Sequence, residues 1–313
     1  MRADDRVRIG SVTKSFIAVV ALQLVGEGRL RLSDTLGQRL PGVLPYGSDI
    51  TLRQLLDHTS GIPDDVATPL MELFGGDPLR VWTPAQLIGV VRDQPPRFAA
   101  GTAWAYSNTD YVLVGLMIEG ATGNSLEREL QRRVVGPLRL RHTSFPVQAS
   151  GLGGHAARGY SLDLDSSGRP VAGTLRDLTT YSPSFAWASG NGVSDVRDVA
   201  RFYHALLSGE LLAANLLREV LTTVSTGRSG RRYGLGLDVR DSSYGMLVGH
   251  EGDIPGFSVK ALSSPDGRRQ AVVAVNAKFA PAGVDGALDA AMDAAVHAAF
   301  APERARVRAT GRR

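Results

Sequence analysis

The sequence predicts an α+β fold, in which a helical region is followed by an antiparallel sheet and a C-terminal helix covers that sheet. Apolar residues recur at helical spacing in several segments of the first 225 residues. The pattern then changes to short β-prone runs between residues 233 and 276. An Ala-rich segment, 287–300, follows these runs and has the composition of a helix.

The 313 residues, 43% of them hydrophobic, are enough to bury a large core. We interpret the chain as a single domain with two lobes and a tail. Residues 1–225 form the mainly helical lobe, and residues 226–300 supply the sheet and the C-terminal helix. Residues 301–313 contain five arginines, and we expect them to form a basic, solvated tail.

The helical lobe is predicted from caps and apolar spacing. A first helix begins at Ser11 and ends near Gly26. Thr51, Thr83 and Ser194 stand where N-caps are expected, and a proline follows Thr83 at the first helical position. The other predicted helices of this lobe span residues 52–57, 85–92, 110–121, 125–135, 195–207 and 211–222.

The sheet is predicted from four short runs, 233–240, 244–250, 257–263 and 270–276. Ser264-Pro265-Asp266-Gly267 separates the last two and is typical of a hairpin turn. The stretch 150–173, rich in Gly, Ser and Asp, predicts a loop.

Composition excludes several classes of site and partner. The chain has no cysteine, which excludes disulfides, thiolate catalysis and cysteine metal sites. The net charge is +4 and the basic residues are almost all arginine, with Lys14, Lys260 and Lys278 as the lysines. No basic patch interleaved with aromatic residues occurs, so we expect no nucleic-acid partner. No apolar run has the length of a membrane span.

The N-terminus imitates a signal peptide, because arginines precede an apolar run. Asp4 and Asp5 interrupt the basic region, and no clear cleavage site follows. We therefore expect no signal peptide, which would place the chain as it stands in the cytoplasm.

Ser11 and Lys14 form the pattern Ser-x-x-Lys, one helical turn apart on the same face. Free backbone N–H groups at a helix start favour negative charge developing near Ser11. The helix is apolar nearly all round, so we expect Lys14 to be buried with a lowered pKa. A neutral amine beside a hydroxyl pairs a general base with a nucleophile. An N-cap serine beside a solvated lysine is the structural alternative.

Two further stretches point to the same chemistry. Tyr106-Ser107-Asn108 places a phenol and an amide in a loop before a buried helix, where ordinary loop capping is the alternative. His250-Glu251-Gly252-Asp253 ends a predicted strand, and glycine at 252 lets a ligand approach the strand closely. A lone histidine at a strand end is more often structural. No Gly-x-Ser-x-Gly elbow occurs, which excludes a classical α/β-hydrolase.

Together and in this order, these motifs resemble the serine β-lactamase and D-Ala-D-Ala carboxypeptidase superfamily, most closely its class C and Streptomyces-type carboxypeptidase branch. The resemblance runs through most of the chain and implies a β-lactamase/transpeptidase-like fold. The segments that carry it are 8–15 around Ser11, the Leu-Leu-x-His-Thr-Ser-Gly loop at 55–63, Tyr106-Ser107-Asn108, the glycine-rich turn and helix start at 189–202, and 249–252.

The resemblance implies a role for each motif residue. Ser11 would attack the substrate carbonyl, Lys14 would take the serine proton, and Tyr106 would relay a proton to the leaving group. Asn108 would bind the substrate amide. His250 would line the opposite wall and hold either charge or the proton network.

The same resemblance places the oxyanion hole at the backbone N–H groups of Ser11 and Asp253, beside Gly252. It implies a peptide or small-molecule substrate, an acyl-enzyme and no metal or cofactor, and it leaves the oligomeric state open. We expect a carboxypeptidase-like enzyme or an esterase, with a non-catalytic penicillin- or peptide-binding sensor as the alternative.

The chain departs from the family pattern in two ways that matter. It starts about ten residues before Ser11, where relatives have a β-hairpin and a helix, so these strands are expected to be missing and the sheet edge open. Glu251 replaces a hydroxyl residue near the site of the substrate carboxylate. An acid there is expected to repel that carboxylate, which favours an esterase or amidase over a carboxypeptidase.

Overall fold

All but one of the α-helices lie before residue 222 in the computed structural model, which describes residues 1–64, 67–163, 165, 171, 173–278 and 282–301. The helices are α1 (Thr13–Gly26), α2 (Leu36–Arg39), α3 (Leu52–Leu56), α4 (Ala67–Gly75), α5 (Pro84–Val91), α6 (Asn108–Thr122), α7 (Leu126–Leu130), α8 (Trp187–Gly190), α9 (Val196–Leu207), α10 (Ala214–Leu221) and α11 (Ala282–Phe300).

The strands are concentrated after residue 223. They are β1 (Val7–Arg8), β2 (Tyr160–Ser161), β3 (Arg176–Asp177), β4 (Val193–Ser194), β5 (Val224–Ser225), β6 (Arg231–Tyr233), β7 (Asp238–Ser242), β8 (Gly245–Ile254), β9 (Phe257–Ser263) and β10 (Gln270–Val275). β5 to β10 form one antiparallel sheet in the order β10-β9-β8-β7-β6-β5. The predicted α+β fold, a helical lobe with an antiparallel sheet and a C-terminal helix, is confirmed.

Most of the predicted helices are confirmed with small shifts at their ends. Thr51 and Thr83 cap α3 and α5, each in a capping box with a glutamine three residues on. α6 ends at Thr122 and is capped by Gly123, whose φ of 69° lies in the left-handed region that glycine adopts easily. The predicted cap at Ser194 is wrong: Ser194 lies in β4, and the Asp195 side chain caps α9 instead.

The sequence run 233–240 does not form one strand. The chain turns between Tyr233 and Asp238, where the Gly234 N–H donates to the Leu237 carbonyl and Gly236 has a φ of 78°. This turn separates β6 from β7 and folds them against each other in antiparallel register. β-propensity alone does not detect this turn, because Leu235 and Leu237 are apolar and continue the pattern of a strand. In the structure both side chains are buried.

The helix α1 lies at the centre of the molecule and is buried on nearly every side. Its Phe16 stacks on Phe202 of α9, with ring centroids 3.6 Å apart, and meets Phe145 edge to face. Such packing fixes the position of α1, and therefore of the residues at its N-terminus, relative to the rest of the lobe.

At the sheet edge, β10 pairs with β9 and has no second partner strand among the described residues. Its apolar side chains Val272, Val273 and Ala274 are nevertheless half-buried, since α9 and α11 pack nearby. The expected open sheet edge is therefore present, and its apolar side chains are partly covered. The helices in the described part of the chain are too short or too polar to span a bilayer. The predicted basic tail, apart from Ala301, lies outside the described residues.

Candidate active site

Ser11 does not begin α1, as predicted, but lies in a single 3-10 turn, Gly10–Val12, immediately before it. Lys14 is in the first turn of α1 and is fully buried. The Lys14 Nζ lies 3.0 Å from the Ser11 Oγ. The predicted pairing of a hydroxyl with a buried amine is therefore present in the structure.

Lys14 Nζ contacts two further oxygens, Oδ1 of Asn108 at 2.7 Å and the Ser189 carbonyl at 2.7 Å. A charged amine donates to all three partners. A neutral amine donates to Asn108 and Ser189 only, which leaves its lone pair directed at the Ser11 hydroxyl. The arrangement therefore holds the amine in the orientation that a general base requires.

Burial lowers the pKa of Lys14 to about 7, while the nearby carboxyl groups of Asp64 and Asp110 act to raise it. Near neutral pH a substantial fraction of the amine is therefore uncharged. Lys14 Nζ also lies 4.8 Å from the centre of the Tyr106 ring and 5.5 Å from that of Tyr111, which favours the charged form when it is present.

Tyr106 lies next to the nucleophile. Burial of its hydroxyl raises its pKa far above the usual value, although a hydrogen bond with Ser11 acts in the opposite direction. The phenol therefore stays protonated at neutral pH. A protonated hydroxyl between a base and a substrate is able to donate its proton and to receive another.

His250 in β8 uses both of its ring nitrogens within the protein. Nδ1 lies 2.5 Å from the Glu251 carbonyl, and Nε2 lies 2.8 Å from the Tyr233 hydroxyl. Because a carbonyl only accepts, Nδ1 carries the proton and Nε2 accepts from Tyr233. Burial and the nearby Lys14 lower the pKa of His250 to about 4. His250 is therefore neutral, which favours the expected proton network over the expected charge.

Gly252 and Asp253 lie where β8 passes the turn that holds Ser11. A Cβ on Gly252 would collide with the Ile9 carbonyl oxygen and lie 3.1 Å from the Ser11 backbone nitrogen. A Cβ on Gly10 would lie 2.9 Å from the Asp253 backbone nitrogen. This close approach needs glycine on both segments and brings the two backbone nitrogens of the predicted oxyanion hole into the same region.

The Glu251 side chain corrects the expectation of an acid that repels a substrate carboxylate. Its carboxylate lies 2.6 Å from Arg240, 3.0 Å from Arg231 and 3.3 Å from Lys260. Although burial acts to raise the pKa of Glu251, these cations hold it far below its usual range. The negative charge is balanced by neighbours of the chain itself, so Glu251 is no free acid at the substrate site.

All seven predicted site residues come together at one cleft of about 670 Å³ or directly behind its wall. Ser11, Tyr106, Asn108, His250 and Asp253 line it. Sequence reasoning gave no site role to four residues near the cleft. Ser189 begins the motif segment 189–202, while Asp64, Tyr233 and Arg231 lie outside the motifs.

Of the missed residues, Asp64 had a usable sequence signal, because it directly follows the motif loop 55–63. The Ser189 contribution is a backbone carbonyl, which no residue type reveals. Among the described residues, no group of three or more carboxylate or imidazole side chains is arranged to hold a metal ion.

Comparison with known proteins agrees with this geometry. The family model described as Beta-lactamase matches residues 1–296. A D-stereospecific amidohydrolase from Streptomyces sp. has 38% identity and a TM-score of 0.82 over 90% of this chain and 85% of its own. The D-amino acid amidase from Ochrobactrum anthropi SV3 complexed with D-phenylalanine has 28% identity and a TM-score of 0.78 over 96% and 86%.

Among curated proteins, the putative penicillin-binding protein PbpX of Bacillus subtilis (strain 168) is 26% identical over 260 residues, which are 83% of this chain and 59% of that protein. Penicillin-binding protein 4* of the same strain is 26% identical over 288 residues, covering 88% and 62%. The chain thus spans less than two thirds of the length of these two relatives. Because the family model matches almost the whole chain and the fold is shared with solved members, the chain belongs to the β-lactamase family of serine hydrolases.

Proposed function

We propose that this chain hydrolyses an amide or ester bond through an acyl-enzyme on Ser11. The observation that carries the proposal is the 3.0 Å contact between Ser11 Oγ and Lys14 Nζ, in surroundings that lower the pKa of Lys14 to about 7. A nucleophile within hydrogen-bond reach of a base that is partly neutral at working pH is the requirement for serine acylation.

In acylation, Ser11 Oγ bonds to the substrate carbonyl carbon while the serine proton passes to Lys14 Nζ. The oxyanion that forms accepts hydrogen bonds from the backbone N–H groups of Ser11 and Asp253, each donor contributing roughly 3 kcal/mol to lowering the barrier. Tyr106 then gives its proton to the leaving nitrogen or oxygen and receives one from the Lys14 ammonium. The carbon–nitrogen or carbon–oxygen bond breaks, which leaves an ester on Ser11.

In deacylation, water adds to the carbonyl carbon of that ester and loses a proton to neutral Lys14. Collapse of the second intermediate breaks the bond to Ser11 Oγ, which takes the proton back. The acid product is released and the free hydroxyl is restored. Asn108 helps to hold the substrate amide in the cleft, and neutral His250 fixes the opposite wall through its bond with Tyr233.

For the substrate, we propose the amide of a D-configured amino acid. The solved relatives named for D-stereospecific amidohydrolase and D-amino acid amidase activity support this class. The cleft also has room beside the nucleophile, where Leu70, Leu87 and Val112 offer an apolar wall to a side chain.

A carboxypeptidase acting on a D-Ala-D-Ala terminus is the second candidate. Arg228 lines the cleft, while Arg231 and Arg240 pair with the two carboxylates of this wall, Asp238 and Glu251. A substrate carboxylate would therefore meet the positive charge of Arg228 on this wall, which is the specific observation that favours the candidate.

The test compares turnover of D- and L-phenylalanine amide, a peptide ending in D-Ala-D-Ala and an activated short-chain ester. Intact-protein mass after incubation with benzylpenicillin is measured in parallel. Ser11→Ala is expected to abolish all turnover and any adduct, while Ser48→Ala, a serine exposed on the surface, retains both.

Preferential release of ammonia from the D-amide supports the amidase, and release of D-alanine from the peptide supports the carboxypeptidase. Ester turnover alone supports an esterase. A Ser11 adduct with penicillin but no turnover would contradict the enzyme and favour a sensor. Turnover that survives Ser11→Ala would refute the proposed nucleophile.

A further inference from the structure

Asp64 lies in the wall of the cleft, directly after the motif loop 55–63, and is half-buried. Its Oδ2 accepts a hydrogen bond of 3.1 Å from Nδ2 of Asn108. None of the roles derived above uses this carboxylate.

Asn108 connects Asp64 with the proposed base. Its Nδ2 donates to Asp64, while its Oδ1 accepts from Lys14 Nζ at 2.7 Å. A carboxylate only accepts and an amine N–H only donates, so the amide has a single orientation that satisfies both neighbours. With the carboxylate present, the opposite orientation would place Oδ1 against an oxygen and Nδ2 against the amine. Asp64 therefore determines which end of the amide faces Lys14.

The charge of Asp64 also acts on Lys14. Burial raises the pKa of Asp64, while its hydrogen bonds with Asn108, the charge of Lys14 and the charge of Arg97 oppose that rise. Arg97 lines the same cleft. Asp64 in turn is the first of the two carboxyl groups that act to raise the pKa of Lys14.

Asp110 is the other carboxyl group whose charge acts to raise the pKa of Lys14. Asp110 of α6 is fully buried and hydrogen-bonded to His58 and Ser60, and burial raises its pKa well above the usual value. Burial lowers the pKa values of both His58 and His250, so both are neutral. The phenols that face Lys14 are Tyr106 and Tyr111, and burial raises their pKa values.

We propose that Asp64 is a positioning residue of this site, which orients the Asn108 amide and thereby directs Lys14 Nζ at the Ser11 hydroxyl. The proposal rests on the proposed roles of Ser11 and Lys14. It predicts two separable effects, one of the carboxylate's charge on the proton affinity of Lys14 and one of its acceptor oxygen on the geometry of the amide.

Three variants separate these effects. Asp64→Asn removes the charge but is able to present an amide oxygen to Asn108 Nδ2, so it keeps the acceptor. Asp64→Ala removes both the charge and the acceptor. Asp93→Asn, at an exposed position on the surface, is the matched control for the change of charge.

The first readout is the titration of Lys14 by NMR with 13C-labelled lysine, which is favourable because the chain has only three lysines. Lys14→Ala assigns the signal. Loss of a nearby anion removes a stabilisation of the charged amine, so the pKa of Lys14 is expected to fall by about one unit in Asp64→Asn. Asp93→Asn is expected to leave it unchanged. The same pKa in Asp64→Asn as in the wild type would overturn the predicted effect of the carboxylate's charge.

The second readout is the single-turnover rate of acylation by an activated ester above pH 8.5, where Lys14 is neutral in every variant. Asp64→Asn is expected to stay within about threefold of the wild type, and Asp64→Ala to fall by about tenfold or more with KM unchanged. Equal rates for Asp64→Ala and the wild type would overturn the orienting role.

The NMR titration does not depend on turnover, so the two proposals fail separately. A wild type that does not acylate refutes the proposed function, whatever Lys14 does in the titration. A wild type that acylates normally, with a Lys14 pKa unchanged in Asp64→Asn and an acylation rate unchanged in Asp64→Ala, refutes the role of Asp64 alone.

Discussion

Lys14 shows at the scale of one residue how burial turns an ordinary side chain into a base. It is 0% exposed, and the loss of solvation is the largest influence on its pKa. The Asn108 side-chain oxygen and the Ser189 carbonyl accept hydrogen bonds from its amine, so the lone pair of the neutral amine points at the Ser11 hydroxyl. The sequence predicted the burial from the apolar helix, and the structure added the partners that orient the amine.

The pH dependence of acylation follows from this environment. The reactive form of Lys14 is neutral, so kcat/KM for an activated ester should rise with pH through a midpoint near 7, the pKa of Lys14. His250, with a pKa of about 4, should add no second limb between pH 5 and 8. The pH–rate profile of the wild type checks this expectation, and spontaneous ester hydrolysis is subtracted as the background. A limb near pH 10 would show that Lys14 keeps its ordinary pKa.

At the scale of elements, the site depends on how closely β8 passes the 3-10 turn of Ser11. The two backbones meet at Gly10 and Gly252, with no room for a side chain on either. Neighbouring residues on β8 face different partners: His250 bonds with Tyr233, and Glu251 with Arg231, Arg240 and Lys260. A strand held so tightly is able to present a backbone N–H at a fixed place.

Gly252→Ala is therefore expected to lower kcat by about 100-fold, because the added Cβ meets the Ile9 carbonyl and separates β8 from the Ser11 backbone. The accompanying loss of folding free energy is expected to be about 1–3 kcal/mol. Steady-state kinetics and urea unfolding measure both quantities. Gly89→Ala in α5, where a Cβ meets nothing within 4 Å, serves as the control and should keep full activity. Unchanged kcat in Gly252→Ala would argue against the proposed oxyanion hole.

At the scale of the whole molecule, the nucleophile is positioned by the core rather than by local structure. α1 packs against α6, α8 and the strand β8, so both lobes contribute to its surroundings. The stacked pair of Phe16 and Phe202 fixes α1 against α9. The stability of the fold and the geometry of the site are consequently coupled.

Phe16→Ala is expected to destabilise the protein by about 3–5 kcal/mol, since it leaves a cavity at the centre of the core. Thermal and urea unfolding give the change in free energy. Leu175→Ala, at a side chain that is 72% exposed, is the matched truncation and should change stability by less than about 0.5 kcal/mol. Equal stability of the two variants would contradict the central role assigned to α1.

The sequence by itself determined the family, the fold class and the residues of the three motifs, because each depends on residues close together in the chain. Ser11 and Lys14 share one helical turn, and the apolar run behind them predicts burial without knowledge of the partner elements. The same locality explains the errors at element ends. At Ser194 and in the run 233–240, the outcome depended on contacts with other segments.

Only the tertiary structure decided which groups surround these motifs. Asn108 is 94 residues from Lys14 along the chain, and Ser189 is 175 residues away, yet both bond to its amine. The expected repulsion of a substrate carboxylate by Glu251 was wrong for the same reason, since the arginines that pair with Glu251 lie on β6 and β7. Hydrogen bonds and charge interactions act over a few ångströms of space, whatever the separation in sequence, so the balance of charge in a site becomes visible only when the chain is folded.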